Sequence, residues 1–429
     1  KPPAPKPSPA SLMEPTAEPQ AVSTTVPKLS DEAAANQAMA RWAKPALLKD
    51  ESQEDLVLVA TMSWGDPPTN FEMLFDTGSS DIWLPSRGCT GCPGAVYLSG
   101  STLPTSTSTL TARLDGSNRV DGQLARESLH FASLVLPKQT LLLAQEVTMA
   151  PSHVAFDGVV GLAASELKDE PSFFAALAAA GVEPVFTFLP GREGAPARLL
   201  LGKEAFAPVI EANSLRWLPS ISKRFWVVEG EVELLGKLHP RDMMIDTGVR
   251  DLQMPKEDLA LLLRSIAPWI QGQRCVLDPS QSMAYCPCSD VEKMRPLRLS
   301  LDWQSFELRP KEELFQATGV QMGSGPSPEE PACRLLVSSP ASLDDKTWVL
   351  GSVFLHGIAT IIDVPQRKIG FAKPLASSEA VFPEGTLELG RSKAVAHLAV
   401  PSYDAQRRRL LASRLSLAVA GLLLGGGAV

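Results

Sequence analysis

Apolar residues are spread unevenly along the chain, and their texture changes twice. Up to about Leu29, Pro, Ala and Ser crowd together; such a stretch cannot bury enough apolar surface to order itself, so it reads as a disordered leader. The next twenty residues, Ser30 followed by DEAAANQAMARWAKPALLK, predict a helix opened by Ser30 and broken before Pro45, where the ring removes a donor and clashes with the preceding turn. This helix fits a remnant of a pro-segment. From Leu56 onward short runs such as LVLVATMSW, RLLLG and FWVVEGEVELLG are rich in Val, Leu, Phe and Trp and are punctuated by Gly, Pro and Asp, which predicts short strands. Only Pro171 to Ala180 and Pro255 to Ile266 read as helices. The expected class is all-β, mainly strands with a few short helices.

A long internal repeat organises the strand-rich region. Residues 73–85 read MLFDTGSSDIWLP and residues 243–255 read MMIDTGVRDLQMP. The two copies agree at Met, Asp, Thr, Gly, Asp and Pro and exchange apolar for apolar at four further positions. Their starts, 73 and 243, lie 170 residues apart, the size of a whole lobe. Each half also carries a later apolar run containing glycine, FDGVVGLA at 156–163 and WVLGSVFL at 348–355. The simplest organisation is a leader and possible pro-segment over 1–55, an N-terminal lobe over 56–212, a C-terminal lobe over 213–375 and a tail over 376–429.

Each copy of the repeat presents an Asp-Thr-Gly turn at the end of an apolar strand. Facing one another across an interface, Asp76 and Asp246 would share one site as candidate catalytic carboxylates. Like charges a few ångströms apart do not both ionise cheaply, so the pair would hold one proton between them. In such a dyad the charged member takes a proton from water as the water attacks an amide carbonyl, and the protonated member donates to the carbonyl oxygen. Gly78 and Gly248 allow the backbone to turn tightly and approach the partner loop, while Thr77 and Thr247 carry hydroxyls able to bond across the two loops. A single Asp-Thr-Gly is a common turn, in which Asp caps its own backbone; two copies in the same apolar setting argue for function. Asp81 and Asp251 also repeat, but an Asp three residues past a glycine turn reads as a local cap or a solvated surface group, without a catalytic role.

Composition narrows the class. The 429 residues are long enough for two cores, and the net charge of −8 speaks against a nucleic-acid partner. Six cysteines, Cys89, Cys92, Cys275, Cys286, Cys288 and Cys333, fit disulfides better than zinc, because the five histidines do not stand at ligand spacing from Cys89 and Cys92. No metal or cofactor is expected. Disulfides imply an oxidising compartment on the secretory route, lumenal or extracellular, although no signal peptide precedes the Pro-rich start; a chain beginning at Lys1 without Met reads as truncated or processed.

From about Leu56 to Lys373 the chain resembles the bilobal, eukaryotic pepsin-like aspartic proteases. FDTGSSDIWLPS at 75–86 is similar to the family's first active-site signature nearly residue by residue, with Ser79 and Trp83 where the family supports its first Asp and the flap. FDGVVGLA and WVLGSVFLHGIATIIDVPQRKIGFAK resemble its two glycine segments. The resemblance implies a bilobal pepsin-like fold with lobes related by a pseudo-two-fold axis, a long cleft, a hairpin flap, a monomer acting on protein or peptide substrates at acid pH, and a zymogen. It also implies disulfides Cys89–Cys92 and Cys288–Cys333, leaving Cys275 with Cys286. Two segments depart from the pattern. Val249 and Arg250 follow the second turn where the family has hydroxyl residues, and ungapped alignment sets Asp115, followed by Gly116, on the flap tyrosine. A third carboxylate there would oppose full ionisation of the pair; the other reading is a remodelled flap on a pepsin-like module that binds peptides with impaired or lost catalysis.

The C-terminus ends in LLASRLSLAVAGLLLGGGAV behind Arg407, Arg408 and Arg409. The 15 residues from Leu415 to Val429 are short for a span of roughly twenty. An apolar end behind a polar spacer also has the composition of a GPI-attachment signal. Membrane attachment through this tail and a plain disordered tail both stay open.

Overall fold

The structure is a computed structural model. It describes residues 58–376 and 387–389, apart from 95–96, 98–109, 114–118, 132–133, 150–155, 164–171, 192–196, 204, 268–274, 279–282, 303, 323–329 and 342. The leader, the helix expected over 30–49, Asp115 and Gly116 of the flap, and the apolar C-terminus lie outside the described residues.

The first sheet is built from β1 (Val59–Trp64), β2 (Thr69–Asp76), β3 (Ile82–Thr90), β4 (Leu110–Arg113), β5 (Arg119–Phe131), β6 (Leu134–Thr148) and β7 (Gly158–Gly161). Their order is β1-β2-β7-β3-β6-β5-β4, and β1 also meets β5 through Ser63 opposite His130 and Trp64 opposite Leu129, so the sheet curls back on itself. Strand β2 explains the apolar triplet before Asp76. Successive side chains point to opposite faces; Met73 and Phe75 enter one core with Met62, Trp64 and Phe131, while Leu74 enters a second with Trp83, Leu142 and Phe156. A strand covered on both faces has no polar side to alternate with. Strands β5 and β6, at 13 and 15 residues, are longer than the expected short runs. Register shifts between Asp121 and Gly122 and between Glu127 and Leu129 break their pairing, and such bulges let a long hairpin bend around a core.

The chain then forms α1 (Phe173–Ala179), capped by Ser172, whose Oγ accepts from Ala175 N at 3.2 Å. Strands β8 (Val185–Leu189), β9 (Ala197–Leu201) and β10 (Arg216–Pro219) follow.

The second half folds as β11 (Val227–Leu234), β12 (Lys237–Ile245), β13 (Leu252–Gln253), α2 (Lys256–Ile266), β14 (Val276–Asp278), β15 (Met283–Pro287), α3 (Cys288–Val291), β16 (Leu297–Leu301), β17 (Gln304–Leu308), β18 (Phe315–Met322), β19 (Glu330–Ser338) and β20 (Thr347–Leu350). These strands run β14-β15-β19-β13-β20-β12-β11-β16-β17, with β18 beside β19. Helix α2 buries Leu259, Leu262 and Ile266; their spacing of three and four residues is the apolar stripe that predicted it. Asp258, on the same helix and 2 % exposed, accepts from Arg241 Nε and Nη2, both at 2.6 Å, and from Trp348 Nε1 at 2.7 Å.

After α4 (Ser352–Leu355) come β21 (Ala359–Asp363), β22 (Lys368–Ala372) and β23 (Leu387–Leu389). A six-stranded sheet, β10-β22-β21-β8-β9-β23, joins strands from both halves of the chain. The described residues are thus mainly strands with a few short helices, in the bilobal arrangement the resemblance implied. Disulfides link Cys89 with Cys92, Cys275 with Cys286 and Cys288 with Cys333. Cys286 and Cys333 stand opposite each other on β15 and β19, yet each bonds a cysteine outside that register. Among the described residues, no helix is long and apolar enough to cross a membrane.

Candidate active site

The two Asp-Thr-Gly turns leave equivalent points of the two sheets. Strand β2 ends at Asp76 and runs parallel to β7 with Asp76 opposite Gly161; β12 ends one residue before Asp246 and runs parallel to β20 with Ile245 opposite Leu350. On the other side of β7, Trp83 of β3 pairs antiparallel with Val159; on the other side of β20, Gln253 of β13 pairs antiparallel with Val349. The repeated sequence therefore folds into a repeated register.

Both turns are closed in the same way. Gly78 N donates to Asp76 Oδ1 at 2.8 Å, and Gly248 N donates to Asp246 Oδ1 at 2.8 Å. Thr77 N donates to Thr247 Oγ1 and Thr247 N to Thr77 Oγ1, each at 3.0 Å. The hydroxyls then donate onward, Thr77 Oγ1 to Ile245 O at 2.8 Å and Thr247 Oγ1 to Phe75 O at 2.7 Å. Both threonines are fully buried. Four bonds between the halves, related by exchange of the two turns, fix one loop on the other; buried groups of this kind must be satisfied or they cost stability.

The glycines show where the carboxylates lie. A Cβ built on Gly78 would overlap the Asp246 carboxylate, and one built on Gly248 would overlap the Asp76 carboxylate. Each acid thus rests on the bare backbone of the opposite turn, where only glycine leaves room. Asp76 is half-buried and Asp246 is 7 % exposed. Ser79 Oγ donates to Asp76 Oδ2 at 2.5 Å. Val249, at the corresponding place after the second turn, has no hydroxyl to offer.

Behind the turns, the glycine segments act as braces. Leu162 N donates to Asp76 O at 2.7 Å and Ala163 N to Ser79 O at 2.8 Å; Asp246 N donates to Leu350 O at 3.2 Å and Ser352 N to Val249 O at 2.9 Å. Gly161 and Gly351 each press against loop backbone so closely that a Cβ would collide. Trp226 Nε1 adds a bond between the halves, to Leu162 O at 2.7 Å; the isolated Trp in a strand-like run carried no signal of this contact.

Other expected site residues fall as follows. Trp83 is fully buried, its ring edge-on to Phe156 at 6.3 Å, in the same cluster as Val120 and Leu124 of β5. Strands β4 and β5 form a hairpin with Arg113 opposite Arg119, and Asp115 and Gly116 belong to the undescribed segment between them. Of the two readings of Asp81 and Asp251, local cap or solvated surface group, the second is corrected: they are 6 % and 8 % exposed. Asp81 Oδ2 accepts from Ser80 Oγ at 2.8 Å, and Asp251 is ion-paired with Arg334. A position that would be a surface cap in an ordinary loop is here buried. Among the described residues, no three His, Cys, Asp or Glu side chains are grouped to hold a metal.

Comparisons with known proteins bear on the family and the fold. A family model described as eukaryotic aspartyl protease matches residues 58–374. The chain is 26 % identical to pepsin F of Oryctolagus cuniculus over 334 residues, covering 74 % of this chain and 81 % of that protein. It is 24 % identical to gastricsin of Homo sapiens over 342 residues, with the same coverage, and 24 % identical to pregnancy-associated glycoprotein 1 of Bos taurus over 337 residues, covering 75 % and 82 %. The fold matches that of the aspartic proteinase from Irpex lacteus with a TM-score of 0.60 at 16 % identity, covering 76 % of this chain and 97 % of the other. With paired Asp-Thr-Gly turns, a sheet register repeated around them and a family match across both lobes, this chain belongs to the eukaryotic aspartyl protease family.

Proposed function

We propose that the protein is an aspartic endopeptidase whose dyad is Asp76 and Asp246, working on protein or peptide substrates at acid pH. The observation that carries this reading is the reciprocal seating of each carboxylate on the other turn's glycine. Two acids held so close share a proton. A water between them gives one proton to the charged carboxylate as its oxygen bonds the amide carbon, and the protonated carboxyl donates to the carbonyl oxygen. As the C–N bond of the resulting tetrahedral diol breaks, the newly protonated carboxyl gives its proton to the leaving nitrogen, a diol hydroxyl returns a proton to the other carboxylate, and the dyad regains its single proton. The bonds among Thr77, Thr247, Phe75 and Ile245 hold both acids in place before substrate arrives, which lowers the reorganisation needed in the transition state.

Three disulfides suit an oxidising, secretory compartment. Residues 1–55 are proposed to carry a leader and a pro-segment remnant, and their removal forms one arm of the test. The test is cleavage of an unfolded protein at acid pH by the full chain, by a form lacking residues 1–55, and by Asp76→Ala. Cleavage by the wild type, raised by removing 1–55 and lost in Asp76→Ala, is expected; cleavage that survives Asp76→Ala overturns the assignment.

A further inference from the structure

Arg250 and Asp251, which follow the second Asp-Thr-Gly turn, both reach to the β18–β19 pair. Asp251 is ion-paired with Arg334 of β19, and Arg250 Nη2 donates to Gln316 Oε1 of β18. Gln316 and Arg334 stand directly opposite each other in the β18–β19 register, so two successive loop residues grip neighbouring points of one strand pair. Asp251 and Arg334 are 8 % and 9 % exposed. Asp251 Oδ1 and Arg334 Nε remain buried without a hydrogen-bond partner. An ion pair buried with such unmet groups is a poor source of stability, because desolvating two charges costs about as much as their attraction returns. Its presence beside the site therefore asks for another explanation.

The loop itself supplies one. The first turn is fixed by Ser79 Oγ on Asp76, whereas Val249 offers no hydroxyl at the matching place. On the backbone side, Ser352 N and Val353 N hold Val249 O and Arg250 O at 2.9 and 3.0 Å. The side chains of Arg250 and Asp251 tie the same segment to β18 and β19. Resting on the dyad reading above, we propose that Asp251 and Arg334 are positioning residues that keep the second turn, and with it Asp246, in register with Asp76. Arg250 and Gln316 form the second tie. The pair acts through the loop and touches no substrate.

The test compares Arg334→Met, Arg334→Lys and the double variant Asp251→Leu/Arg334→Leu with the wild type, each followed by thermal melting and by kcat and KM on one peptide at acid pH. In folded Arg334→Met, kcat falls about ten- to a hundredfold while KM stays within about twofold, as expected when reacting groups are misplaced without loss of substrate contacts. Arg334→Lys, which keeps the charge, restores most of kcat. The double variant removes both charges at once, so the core stays satisfied and the chain folds, yet kcat stays low. A folded Arg334→Met or double variant with wild-type kcat overturns the proposal, as does failure of both to fold, which makes the pair structural only. These results are separate from those on the dyad: wild-type cleavage that persists in Asp76→Ala removes the functional reading and the proposal together, whereas cleavage lost in Asp76→Ala but intact in the double variant removes the pair alone.

Discussion

Gly78 shows how much a single position carries. It takes no unusual backbone angle and would tolerate a side chain anywhere else in a strand-end turn; here the Asp246 carboxylate occupies the space a Cβ needs. Gly78→Ala must push either the turn or the acid aside, and a displacement of about an ångström costs roughly a hundredfold in rate. The expected outcome is a kcat lowered by about that factor with a melting temperature shifted only slightly, measured on the same acid-pH peptide assay; unchanged kcat would contradict the close seating. The sequence alone marked Gly78 as a turn residue. It placed the partner loop nearby, but did not reveal that the carboxylate of Asp246, 168 positions further along, fills the space a Cβ would take. The same blindness hid the burial of Asp81 and Asp251, since local sequence describes the turn but not the sheets packed around it.

Among the elements, α2 was legible because its apolar stripe follows helical spacing, but its strongest attachment is polar. Asp258 sits on its buried face and receives three donors, two from Arg241 and one from Trp348. The hydrogen bonds that Arg241 donates to Asp258, more than the carboxylate's charge alone, hold the Arg241 guanidinium above its ordinary pKa despite partial burial. Removing the acceptor leaves that guanidinium, 16 % exposed when paired, without its ion-pair partner, and breaking a buried pair from one side costs about 3–5 kcal/mol. Asp258→Ala is therefore expected to lower unfolding free energy by that amount in a urea titration, and a loss below about 1 kcal/mol would show that the pair adds little. Strands β5 and β6 make the complementary point. Their apolar content was visible, but their length was not, because bulges let a strand continue where alternation of apolar and polar residues is interrupted.

At the scale of the whole molecule, the halves are joined by the shared six-stranded sheet, by the exchange of bonds between Thr77 and Thr247, and by Trp226 reaching Leu162. Disulfides act within the halves. Cross-linking restricts the unfolded chain more when the enclosed loop is longer. Cys288–Cys333 spans 45 positions and Cys89–Cys92 spans three, so replacing the first pair by Ser is expected to cost about 4 kcal/mol and the second roughly 1.6 kcal/mol. Comparing the thermal midpoints of the two double-serine variants checks the order; equal losses would place the effect in the native state instead.

What the sequence determined by itself was the repeated part of the protein: two apolar strands ending in Asp-Thr-Gly, their later glycine segments and the mainly β class, because duplication leaves the same local pattern twice. Tertiary structure decided how those copies meet. The bonds of Thr77 and Thr247, the seating of each acid on the opposite glycine, and the grip of Arg250 and Asp251 on β18 and β19 all join residues distant in the chain. Such contacts depend on how whole sheets pack: the repeat showed that the threonine hydroxyls could bond across the loops, but packing decided which atoms they meet, and the grip of Arg250 and Asp251 left no trace in the local sequence.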